Sequence, residues 1–151
     1  MAAAESEHPE PLVNPFTGQV IRFVEQTDER LVMESTYRAG GAPAPPHFHP
    51  DQEERFEVIE GGGVRCNIYG EERTLRPGDE LLIPAGTMHD FGGLPDAGGS
   101  VVWEVRPPLR TWEFFTELFG ALQATAEAQE VGREPDVSFD FADWTDVFRT
   151  S

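Results

Sequence analysis

Residues 41–61, GAPAPPHFHPDQEERFEVIEG, decide how the rest of the chain is read. The stretch places His47 and His49 two positions apart, then the adjacent carboxylates Glu53 and Glu54, ahead of the alternating run Phe56-Glu57-Val58. Residues two apart on a strand point the same way, which puts both imidazoles on one side with Cα atoms about 6.5 to 7 Å apart, a spacing that suits chelation. Parity separates the two carboxylates. Glu54 is in phase with Phe56 and Val58, whereas Glu53 is in phase with Arg55 and Glu57, so Glu54 is expected to point inward. An ionised carboxylate in an apolar interior costs several kcal/mol unless something positive meets it, and a divalent cation meets that need. Further on, residues 78–89, GDELLIPAGTMH, deliver a third histidine, His89, in phase with Phe91. Three neutral ring nitrogens and one carboxylate make a mononuclear donor set.

Spacing at these residues resembles the cupin superfamily. The first cupin signature, G-x5-H-x-H-x4-E-x6-G, is matched by Gly41, His47, His49, Glu54 and Gly61. The second, G-x5-P-x-G-x2-H-x3-N, is matched by Gly78, Pro84, Gly86 and His89, with Gly93 in place of its final Asn. That Asn is not a ligand in the family, so the departure touches a loop contact and leaves the metal positions intact. The resemblance implies an all-β fold, an antiparallel double-sheet β-barrel of the jelly-roll type, holding one divalent metal ion on His47, His49, Glu54 and His89. It does not choose a reaction, because cupins include oxygenases, isomerases, cyclases and non-enzymatic binders.

At 151 residues the chain is long enough for one domain, and a domain of that size buries roughly 68 to 70% of its unfolded surface. With 28 acidic against 11 basic residues the net charge is −17, and no basic cluster interrupts it, which argues against nucleic acid or an anionic membrane surface as partner. A single cysteine, Cys66, allows no internal disulfide; alternating with Val64 and Ile68, it reads as a small buried hydrophobe. The opening MAAAESEHPEP has neither a basic n-region nor a long apolar h-region, so the expected compartment is the cytoplasm.

Residues 1–11, including the solvated His8, read as a disordered acidic tail, residues 12–108 as the barrel, and residues 109–151 as helices packed on it. Strands are expected at 19–26, 31–38, 64–69, 73–75, 80–83, 88–91 and 100–106, with a turn at Gly70-Glu71 and a flexible Gly/Pro loop over 92–99. Short strands with turn signals every eight to twelve residues support a sandwich or barrel independently of the resemblance. After Pro107-Pro108, residues Trp112, Phe115, Leu118, Phe119 and Leu122 recur at helical spacing with Thr111 as a potential N-cap. A second helix is expected from 141 to 149, capped by Asp140, with Trp144, Val147 and Phe148 on one face. These aromatics either close an end or an outer face of the barrel, or the first helix forms part of a dimer interface or a lid over the pocket.

Four protein ligands leave up to two octahedral positions open. Ligand type alone does not separate the metals: Fe(II) implies oxygenase or dioxygenase chemistry on a small organic molecule, the expectation that the cupin resemblance favours, and Zn, Mn or Ni implies a non-redox isomerase or cyclase with a polyketide-like or sugar-like substrate. A binding module without catalysis is the third alternative. Glu104 and Tyr37 are candidates for proton transfer or for orienting the ligands, chosen from strand residues that also include Arg22 and Glu34. A partly apolar pocket is expected from some of Phe23, Met33, Phe56, Ile68, Phe91 and Trp103, and the resemblance implies a homodimer.

Overall fold

Alternation of side chains builds the sheets. In strand β4, Glu53–Gly61, residues Glu54, Phe56 and Val58 are buried while Glu53, Arg55 and Glu57 face solvent. In β9, Gly99–Arg106, Val101, Trp103 and Val105 turn in, and Glu104 and Arg106 turn out. The computed structural model describes residues 9–151. Its other strands are β1 (Leu12–Val13), β2 (Val20–Gln26), β3 (Leu31–Tyr37), β5 (Val64–Ile68), β6 (Glu71–Leu75), β7 (Glu80–Ile83) and β8 (His89–Gly93). All pairings are antiparallel, in a six-stranded sheet of order β1-β2-β3-β9-β4-β7 and a three-stranded sheet of order β6-β5-β8. The two sheets make a jelly-roll sandwich. Its core holds Ile21, Leu31, Met33, Val64, Cys66 and Val101, each without exposed surface. Full burial of one such aliphatic side chain contributes about 1.5–3 kcal/mol.

Several expected boundaries shift for physical reasons. The hairpin after β5 turns at Tyr69-Gly70, not at Gly70-Glu71: Ile68 pairs with Glu71, and both turn residues have positive φ, 50° and 83°, as a two-residue primed turn requires. Strand β1 was not expected, because two residues carry no periodicity. Gly92 and Gly93 belong to β8 and are buried, so the expected loop over 92–99 begins later. A Cβ on Gly93 would fall on the Arg38 carbonyl oxygen, which is why this position holds no Asn here. The readings of His8 and of residues 1–8 lie outside the described residues.

Helix α1, Thr111–Glu130, has Arg110 at its N-cap position without a side-chain cap, so Thr111 is not the cap. Its buried hydroxyl instead accepts from Gln52 Nε2 at 2.7 Å, and the same amide donates to the carbonyls of Pro107 (2.9 Å) and Pro108 (3.0 Å). Gln52 thereby fixes the point where the chain leaves the sheet for the helix. The expected helix over 141–149 is a single 3-10 turn, Phe141–Trp144, with Asp140 accepting from the Ala142 amide at 2.9 Å. Turns continue past it, the Val147 and Phe148 amides donating to the Trp144 carbonyl at 3.0 and 2.9 Å, until Arg149 exchanges two backbone hydrogen bonds with Phe48, at 2.8 and 3.0 Å. No helix among the described residues is long and apolar enough to cross a membrane.

Candidate metal centre

Two backbone segments bring the histidines together. His47 and His89 form an antiparallel bridge and exchange both backbone hydrogen bonds, 2.9 Å and 2.8 Å, so their side chains stand on one face. His49, two residues on, shares that face with His47. The three rings are buried and offer ligand nitrogens that all lie within 4.8 Å of one another. Glu54 enters from β4 at 1% exposure, its Oε1 lying 3.1 Å from His49 Nε2 and 2.9 Å from His89 Nε2.

Every ring nitrogen on the far side of the cluster is committed. Nδ1 of His47 donates to the Pro45 carbonyl (2.8 Å), Nδ1 of His49 to the Val147 carbonyl (2.6 Å) and Nδ1 of His89 to the Thr87 carbonyl (2.8 Å). A carbonyl only accepts, so each proton sits on Nδ1 and each Nε2 presents a lone pair. His49 Nε2 and Glu54 Oε1, both buried, then face each other at 3.1 Å, and with His49 neutral no hydrogen bond joins them. Two opposed lone pairs in a dry site repel, and a cation shared by both, a proton on His49 or a metal ion, removes the conflict. The donor set of imidazole nitrogens and carboxylate oxygen suits Fe, Zn, Mn or Ni. The residues present therefore fit a divalent metal ion.

Electrostatics agree with that fit. Burial, reinforced by His49 and His89, pushes His47 down to about 3, which keeps it neutral and available as a ligand. Burial alone would raise the Glu54 carboxyl, but the His49 and His89 imidazoles outweigh it and hold it well below the usual carboxylate range. Burial also works against a positive charge on His49, yet the Glu54 carboxylate overcomes it and raises that ring. The pocket thus holds a fixed negative charge that attracts a cation.

A residue absent from the expected ligand-orienting set completes the carboxylate's surroundings. Trp103 Nε1 donates to Glu54 Oε2 at 2.7 Å, leaving Oε1 for the histidines. Sequence parity placed Trp103 in the pocket as an apolar wall and gave no sign of this contact. The C-terminal segment was also missed: the Phe148 ring stacks on His47 with centroids 4.4 Å apart and planes 18° apart.

His47, His89 and Glu54 of the cluster line a cavity of about 250 Å³. Phe56, Phe91 and Trp103 line it as expected, joined by Phe115, Leu118, Phe119 and Leu122 of α1 and by Phe141 and Phe148. Of the helix aromatics, Phe115 and Phe119 therefore wall the cavity. Phe23 instead packs edge-on against Trp112, with centroids 5.3 Å apart, while Met33 and Ile68 are absent from the lining. Asn14, Thr17, Gln19 and Tyr37 supply its polar groups besides the cluster. Burial raises the Tyr37 phenol, and the Glu54 charge adds to that, so it stays protonated.

Glu104 does not reach this cavity. It is out of phase with Trp103 and Val105, lies on the outer face of the larger sheet beside Glu53, Arg55 and Arg106, and pairs with Arg106 (2.6 Å) and Arg30 (2.9 Å). Those guanidinium groups, Arg106 first, hold its carboxyl below the usual range. Arg22 and Glu34 are a cross-strand pair out of phase with the buried residues Ile21, Met33 and Ser35. Of the four strand candidates, the structure brings Tyr37 alone to the cavity.

Residues 33–103 match the Cupin_2 family, described as a cupin domain. Residues 33–103 thus carry the match to a cupin domain, and the two antiparallel sheets fit the jelly-roll fold of cupins. It is similar to the protein Gentisate 1,2 dioxygenase 1 of Aquipseudomonas alcaligenes, at 33% identity over 63 residues, 42% of this chain and 17% of that one. It is similar also to Oxidoreductase OpS7 of Beauveria bassiana, at 48% identity over 48 residues, 31% of this chain and 15% of that one. The matches thus span less than a fifth of either curated relative. Among solved structures, KdgF from Halomonas sp. aligns with a TM-score of 0.58 at 25% identity, covering 72% of this chain and 93% of that one. The polyketide cyclase RemF from Streptomyces resistomycificus aligns with a TM-score of 0.56 at 24% identity, over 68% and 78%, a likeness of fold.

Proposed function

We propose that this protein is a mononuclear metal-dependent enzyme of the Fe(II) oxygenase type, acting on a small aromatic molecule. The observation that carries the reading is the convergence of three Nε2 lone pairs and Glu54 Oε1 beside a cavity walled by aromatic rings. Similarity to an oxidoreductase and to a dioxygenase supports the choice of chemistry.

His47, His49, His89 and Glu54 would hold the ion. A bound Fe(II) supplies redox chemistry toward dioxygen. The chain's own residues do the rest. Phe56, Phe91 and Trp103 offer flat faces to a planar substrate, and Phe115, Phe119 and Phe148 exclude water above the cluster. An apolar cavity of about 150 Å³ accommodates benzene, so about 250 Å³ suits one or two rings with small substituents. No Lys or Arg is among its lining residues, which favours a substrate whose polar group is a hydroxyl or carbonyl.

A second reading, a non-redox isomerase or cyclase using Zn, Mn or Ni, is favoured by Tyr37. Its phenol, held protonated at the cavity wall, suits hydrogen-bond donation to a carbonyl or enolate oxygen. Metal analysis of protein purified without added metal, followed by oxygen uptake with a panel of hydroxylated aromatics, separates the two. Iron with substrate-dependent oxygen consumption is the expected result. Tightly held zinc with no oxygen uptake overturns the first reading in favour of the second.

A further inference from the structure

We infer that residues 145–149, outside both cupin signatures, form a strap that is part of the metal centre, with Val147 and Phe148 acting as positioning residues for His49 and His47. The inference rests on the reading that the cluster binds a divalent ion. Phe48 lies between the two histidines, and its backbone exchanges two hydrogen bonds with Arg149, at 2.8 and 3.0 Å. This pairing sets the strap antiparallel to the ligand segment. The Val147 carbonyl then accepts from His49 Nδ1, in a 2.6 Å bond that spans 98 positions of sequence, and fixes which nitrogen faces the cluster. One residue on, the Phe148 ring lies flat on His47, restricting its rotation.

The strap is itself held from outside the cavity. Arg110 pairs with the Asp146 carboxylate, donates to the Asp143 carbonyl at 2.8 Å and stacks over the Trp144 ring at 4.4 Å. On its inner side Phe148 packs against Phe114 of α1 with centroids 5.0 Å apart. Val147 is 1% exposed and Phe148 is 7% exposed. Such groups around a metal ligand tune affinity by about 10–100-fold. By linkage, an ion gripped harder with the strap docked also holds the strap down harder.

The test uses the full chain loaded with Co(II), comparing wild type with Phe148→Ala, Phe148→Tyr and Arg149→Pro, the last removing the amide that bonds to Phe48. Readouts are the rate of Co(II) release to a chelator, the visible Co(II) bands and the melting temperature of the metal-free protein. Phe148→Ala and Arg149→Pro are expected to release Co(II) about 10–100-fold faster with altered bands, while Phe148→Tyr restores the wild-type rate. Should Phe148→Ala not fold, Arg149→Pro decides alone. Release at the wild-type rate from the folded variants overturns the inference while leaving the metal reading intact. A wild-type protein that takes up no Co(II) overturns both.

Discussion

The indole of Trp103 reaches diagonally across the ladder between β4 and β9 to Glu54: Trp103 is paired with Phe56, Glu54 with Val105, and Nε1 meets Oε2 at 2.7 Å. This contact divides the carboxylate into one oxygen held by the protein and one turned toward the histidines. Trp103→Phe keeps a ring in the wall but removes the donor. It is expected to weaken metal binding about 10-fold and to destabilise the fold by about 1.5–3 kcal/mol, the range for a hydrogen bond to a charged group. Competition titration against a chromogenic chelator and urea unfolding measure the two effects.

The adjacent carboxylates should behave as opposites. Glu54 is buried and in contact range of two ring nitrogens, whereas Glu53 is exposed on the outer face. Glu54→Ala is expected to lower metal content at least about 10-fold. Glu53→Ala should leave metal content unchanged and alter stability by no more than about 0.5 kcal/mol. Equal loss in both variants, by elemental analysis, would contradict the inward assignment of Glu54.

Cys66 has no exposed surface, and burial pushes its thiol up to about 12. A thiol-specific disulfide reagent at pH 8 should therefore find it unreactive in the folded protein and fully reactive in denaturant. Rapid labelling under native conditions would show that the β5 face opens.

Restoring the family's Asn at position 93 should harm this protein. Its Cβ would collide with the Arg38 carbonyl, a backbone atom that cannot swing aside. Gly93→Asn is expected to cost about 1–3 kcal/mol, the usual range for forcing extra volume into a packed interior, with a lowered urea midpoint as readout.

Histidine positions and strand parity were legible because both are local. An i, i+2 histidine pair shares a face on any strand, and Glu54 keeps step with Phe56 and Val58 wherever β4 lies. Glu104 is harder to place from sequence: β9 carries the apolar Val102 on the same outer face, which blurs the alternation that the buried Trp103 and Val105 define. The hairpin at Tyr69-Gly70 was hidden because Tyr at positive φ is an unusual turn residue. Val147 and Phe148 gave no signal of their role at all. Their contacts join residues about a hundred positions apart, through a carbonyl that every residue possesses and a ring whose spacing read as ordinary helix packing.

One further consequence concerns His47 and His89, which share a rung of two reciprocal amide–carbonyl bonds. Both rings hang from the same crosspiece, so shear between the ligand segment and β8 would carry the pair off together. Surrender of the ion should accordingly be abrupt, with no long-lived species in which one imidazole has let go and the other still grips.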